Sequence, residues 1–157
     1  MAILLDDPDR PRRPDEPQFR LADWIDTAPF EDHVGLTIEE VTAGAARLSL
    51  PFRLCLANGG GVMHGGALVT LADTAVAMAI KTLLPPGTVF ATTRLETRFL
   101  APVQTGTVVA RAKVSGPEGR TLLGTAELTD HTGTVVARFH AQFRIARGQG
   151  FADPAGG

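Results

Sequence analysis

Asn58-Gly-Gly-Gly-Val-Met-His64-Gly-Gly-Ala-Leu-Val-Thr-Leu-Ala-Asp73 is the stretch on which the reading of this chain turns. A loop crowded with glycine runs into a long apolar segment, residues 65–84. That segment has no proline and no glycine after Gly66. It is rich in Ala, Leu and Met, so it is predicted to be a helix. Apolar residues fall on nearly every face, the pattern of a helix buried on most sides. One carboxylate, Asp73, lies near the middle. A charge there is costly unless it is paired or used. An apolar run of about 20 residues would also span a bilayer. Asp73 and Lys81 interrupt this one, and the sequence after it alternates as a soluble sheet does, which favours a core helix.

Pro85-Pro86-Gly87 stops the helix. Four strand-like runs follow, residues 88–100, 107–114, 120–129 and 134–145. In the last, Val135, Ala137, Phe139, Ala141, Phe143 and Ile145 alternate with Arg138, His140, Gln142 and Arg144. Turns at Gly116-Pro-Glu-Gly119 and Asp130-His-Thr-Gly133 make the last three strands an antiparallel meander. Before the helix, residues 34–41 and 45–52 read as a strand pair. Further back, Leu21, Trp24, Ile25 and Ala28 follow helical spacing, which predicts a short amphipathic helix ending near Pro29. A six-strand antiparallel sheet has one face that needs covering, and the long apolar helix is its cover. The predicted fold is therefore α+β, a curled sheet around a central helix.

At 157 residues the chain reads as one domain with a real core. That domain spans residues 19–147. Residues 1–18, rich in proline and charge, read as a mobile arm, and residues 148–157 as a flexible tail. The formal net charge of -2 points to neither nucleic acid nor an anionic membrane as partner. The single cysteine, Cys55, excludes an internal disulfide framework and suits a reducing compartment. His33, His64, His131, His140 and Cys55 lack the spacing of a zinc site, so no metal and no cofactor is expected. No signal peptide is read at the N-terminus, and the expected location is cytoplasmic.

Asn58-x5-His64-Gly65-Gly66-x6-Asp73, with Leu-Ala before the aspartate and Thr-Ala after it, resembles the hotdog-fold acyl-CoA thioesterases of the phenylacetate-pathway type. Arg94-Leu-Glu-Thr-Arg-Phe-Leu-Ala-Pro102 is similar to the strand that follows the helix in that family, and Gly119-Arg120-Thr121-Leu122 to the start of a later one. The resemblance covers residues 35–145. It implies the hotdog fold, an acyl-CoA substrate with aryl or medium-chain acyl group, and dimers often paired into tetramers.

Thioester hydrolysis needs a polarised carbonyl, an attacking nucleophile and a leaving thiolate. The N-terminus of a helix offers unpaired N–H groups and the positive end of a dipole. Gly65 and Gly66 have no side chain to keep a carbonyl oxygen from those amides. Asp73 would activate water as general base, or attack directly to give a mixed anhydride. Partial burial would raise its pKa and strengthen it as a base. Gly65 and Asp73 are eight residues apart on one helix, a separation of about 12 Å. Both cannot hydrogen-bond one reacting group, so an active site using both needs Asp73 from a second subunit, and two antiparallel helices about a two-fold axis would form two such sites.

The resemblance implies that Asn58 helps hold the water or the carbonyl and that Thr92 aids Asp73. His64 is expected to orient the loop through its ring. Val62, Met63, Leu68 and Ala77 would build the inner walls; Gly66, Met63, Arg120 and Thr121 are expected to meet the substrate, with Arg120, beside a glycine turn, at coenzyme A phosphates. Two rival readings remain: a hotdog dehydratase or hydratase, and a non-catalytic acyl-CoA binding module. The acyl group, and coenzyme A against acyl carrier protein as the thiol portion, are open at this point.

Overall fold

The computed structural model describes residues 1–149, and most of the predicted tail lies outside the described residues. Strands β1 (Ile3–Leu4) and β2 (Phe19–Arg20) pair with each other. Helix α1 (Pro29–Val34) follows, then β3 (Thr37–Thr42) and β4 (Ala45–Pro51). A 3-10 turn at Leu54–Leu56 leads to α2 (Gly65–Lys81). The chain continues through β5 (Phe90–Phe99), β6 (Thr107–Glu118), β7 (Thr121–Thr129) and β8 (Val135–Ile145). The six long strands form one antiparallel sheet in the order β3-β4-β6-β7-β8-β5. The sheet around a central helix predicted from the sequence is the observed architecture.

The helix reading near the N-terminus needs correction. Pro29 starts a helix and does not end one. Its fixed φ suits the first helical position, and its missing N–H would have no partner there anyway. Glu31 reaches back to accept from the Ala28 N–H at 2.8 Å, and Gly35 closes the helix in the left-handed region at φ 94°. Trp24 is not on a helix. Its Nε1 donates to the Lys81 carbonyl at 2.9 Å, and Lys81 Nζ donates to the Trp24 carbonyl at 2.9 Å, with the ammonium 4.8 Å from the ring centre. That clasp ties the segment before α1 to the end of α2. Residues 1–18 form a loop tied by the β1–β2 pairing and by an Arg13–Asp6 ion pair at 2.6 Å.

Helix α2 lies across the sheet. Leu68, Leu71, Ala72, Ala75, Val76, Ala79 and Ile80 are buried, together with Leu122, Ala126 and Leu128 of β7 and Phe139, Phe143 and Ile145 of β8. At β7 the approach is close enough that a Cβ on Gly124 would stand 2.1 Å from Val76 Cγ1. Thr70, Asp73 and Ala77 form a partly exposed strip on the helix. No helix among the described residues is long and apolar enough to cross a membrane.

Strand β5 is one edge of the sheet. Thr92 stands opposite Phe143, but Arg94 stands opposite Gln142, so Thr93 is an extra residue, a β-bulge. The bulge reverses the alternation. Thr92 before it and Leu95, Thr97 and Phe99 after it all stand opposite helix-side residues of β8. Simple alternation places Thr92 and Phe99 on opposite faces. The bulge puts both on the face that meets α2.

Candidate active site

The site residues fall into two groups within one chain. The first is at the start of α2. Asn58 Oδ1 accepts from the N–H groups of Gly60 at 2.9 Å and Val62 at 3.3 Å, and the Asn58 N–H donates to the Val62 carbonyl at 2.8 Å. These bonds fold the glycine loop into a tight turn, a role that short Asn side chains perform well. The carboxamide NH2 of Asn58 has no acceptor among the described residues and borders a cleft. The Met63 N–H donates to the Val103 carbonyl at 2.8 Å and the His64 N–H to Leu56 at 2.7 Å, which anchors the loop from both sides.

His64 is the N-cap of α2. Its Nδ1 accepts from the Gly66 N–H at 2.8 Å. An accepting ring nitrogen carries no proton, so in this arrangement the proton of a neutral ring is on Nε2. A Cβ on Gly66 would stand 3.0 Å from that Nδ1, a tight contact with the capping ring. The Gly66 amide, expected to serve substrate, is thus occupied by the histidine. The Gly65 N–H has no partner among the described residues. It opens on a cleft of about 350 Å³ lined by Asn58, Val62, Met63, Leu68, Phe99 and Val103 among others.

The second group is Asp73 and Thr92. The Thr92 hydroxyl donates to Asp73 Oδ1 at 2.9 Å. Burial pushes the Asp73 carboxyl above the ordinary carboxylate range; the Thr92 hydrogen bond opposes this, and the Glu31 charge adds to the rise. A carboxylate so placed is a better base than an exposed one. Asp73 does not line the cleft at Gly65.

Two further predicted residues are elsewhere. Arg120 donates to the Ile145 carbonyl at 3.0 Å and so ties β7 to β8. Thr121 stands opposite Arg144, on the sheet face turned away from α2. The sequence reading did not single out Phe99, whose ring lies against Gly65. Alternation along β5 gives no sign of it, because the bulge decides which way Phe99 points. Glu31 was also missed; only the fold brings α1 near Asp73. Among the described residues no group of three or more His, Cys, Asp or Glu is placed to hold a metal ion.

Comparison with known proteins agrees with this architecture. The sequence pattern of the Thioesterase superfamily matches residues 60–137. A Halobacterium salinarum protein, provisionally described as an esterase, is 28% identical over 144 residues, 85% of this chain and 95% of that one. The structure of conserved protein PA5202 from Pseudomonas aeruginosa superposes with a TM-score of 0.73 at 28% identity, covering 76% of this chain and 95% of its own. The E. coli PaaI protein from the phenylacetic acid degradation operon superposes with a TM-score of 0.71 at 26% identity, over 78% and 87% of the two chains.

Proposed function

Since this chain carries a hotdog domain of the thioesterase superfamily, we propose that it hydrolyses an acyl-CoA thioester, with an aryl or medium-chain acyl group, to the free acid and coenzyme A. The observation that carries the proposal is the unshared Gly65 N–H at the start of α2, opening on an apolar cleft. The thioester carbonyl oxygen accepts from this N–H, at the positive end of the helix dipole. A fixed donor of this kind contributes about 3–4 kcal/mol to the transition state. The Asn58 amide NH2 supplies a second donor, for the carbonyl or for the attacking water.

Asp73 takes a proton from water as the water oxygen attacks the carbonyl carbon. The tetrahedral oxyanion rests on Gly65, the C–S bond breaks, and the thiolate leaves and is protonated. In the alternative course the Asp73 carboxylate attacks, the thiolate leaves, and water opens the mixed anhydride. Thr92 holds the carboxylate in either case.

Eight residues of helix separate Gly65 from Asp73, about 12 Å. The active unit is therefore a dimer in which Asp73 of the second subunit faces the Gly65 cleft. The free edge of β5 supports this reading. Leu95 and Leu100 are 42% and 51% exposed there, and an unpaired edge with apolar side chains is a template for a second copy.

The test is free-thiol release from a panel of aryl and alkyl acyl-CoA esters by wild type and by Asp73→Asn. Wild type should hydrolyse part of the panel, and the variant should lose at least about a hundredfold in kcat. A wild-type protein that binds the esters and cleaves none would make the domain a binding module.

A further inference from the structure

We propose that Phe99 is a specificity-determining residue whose ring selects acyl groups with a flat aromatic portion over straight alkyl chains. The inference rests on the thioesterase reading above and deepens it. Phe99 is the last residue of β5 and faces the helix side of the sheet. Its Cζ, Cε1 and Cε2 atoms lie 3.1, 3.3 and 3.7 Å from where a Cβ on Gly65 would stand. The ring therefore meets Gly65 through its tip. That tip stands beside the residue whose N–H has no partner among the described residues.

Two further observations set Phe99 apart from a core aromatic. It is 55% exposed although it is on the covered side of the sheet, so the core of its own chain does not immobilise the ring. Among the described residues it is also the only aromatic one in the lining of the cleft. Apart from the Asn58 carboxamide, the remaining walls, such as Val62, Met63, Leu68 and Val103, are aliphatic and would contact any apolar acyl group on similar terms. An aromatic face differs, because offset-stacked and edge-to-face ring pairs gain beyond the area they bury. At about 350 Å³ the cleft has room for a single-ring acyl group beside Phe99.

The experiment measures kcat and KM for phenylacetyl-CoA and hexanoyl-CoA with the full-length wild type, Phe99→Leu and Phe99→Ala. The ratio of kcat/KM, aryl over alkyl, should fall roughly three- to tenfold in Phe99→Leu, which keeps apolar volume, and at least as far in Phe99→Ala. The change should come mainly through KM for the aryl ester. Equal losses on the two esters, or an unchanged ratio, overturn the proposal while the thioesterase reading stands. A wild-type protein that cleaves neither these nor other acyl-CoA esters overturns both.

Discussion

The Gly66 N–H donates to His64 Nδ1 at 2.8 Å, whereas the Gly65 N–H beside it has no acceptor among the described residues. One amide holds the loop and the other is unshared, as the proposed oxyanion donor requires. Asp73 shows the same division between stability and use. Its folded-state pKa is raised, chiefly by burial, above that of an unfolded aspartate. The folded chain then binds this proton more tightly than the unfolded one, so the contribution of Asp73 to stability falls as pH rises from the ordinary carboxylate range through its raised value. Asp73→Asn, uncharged at every pH, should therefore have a higher Tm than wild type at pH 7. The gap should shrink on acidification and close by about pH 3, below the ordinary carboxylate range. Thermal melts across that range check this. A variant less stable than wild type at pH 7 would mean that the ionised carboxylate is a net stabiliser through Thr92.

Helix α2 packs against β7 where a side chain is missing. A Cβ on Gly124 would stand 2.1 Å from Val76 Cγ1, and Val76 is three residues beyond Asp73. Gly124→Ala should destabilise the fold by about 1–3 kcal/mol in urea unfolding, the usual cost of overpacking a filled core. Val76→Ala in the same chain should restore part of that loss, because the two substitutions share one contact. If Gly124→Ala is neutral, the helix sits further from the sheet than described. Strand β5 depends on its bulge in a comparable way. Thr92 reaches Asp73 and Phe99 reaches Gly65 from the same face only because Thr93 takes up one register step. A bulge has no signature in a run that alternates well on both sides of it, so the place of Phe99 was not legible in the sequence, and Thr92 was expected beside Asp73 only through the family resemblance.

For the whole molecule the sharpest prediction concerns shared sites. Asp73→Asn and Gly65→Val should each be inactive alone. Co-refolded in equal amounts, they should regain about a quarter of wild-type activity. Half of the dimers are then mixed, and each mixed dimer has one of its two sites intact. No recovery in the mixture would place both residues of a site in one chain or exclude Asp73 from it. Light scattering on the same samples should give two or four times the mass of the 157-residue chain, a dimer or a pair of dimers, and never one. Leu95→Lys, on the free β5 edge, should shift that mass toward the monomer and lower activity with it, since a charged edge strand resists pairing.

By itself, the sequence determined the layered architecture and the identity of the central helix. Period-2 alternation and an apolar run without glycine or proline are local consequences of burial, and each residue carries its share of them. Asp73 was legible for the same reason, as a charge where none is cheap. Thr92 was expected beside Asp73 only through a resemblance; the bond between them, the freedom of one glycine amide and the presence of Phe99 beside it were decided by tertiary structure. Each depends on residues distant in sequence, Thr92 and Phe99 across a bulge and Glu31 from another helix. Their meeting is set by how the sheet and helix pack, which no local pattern records.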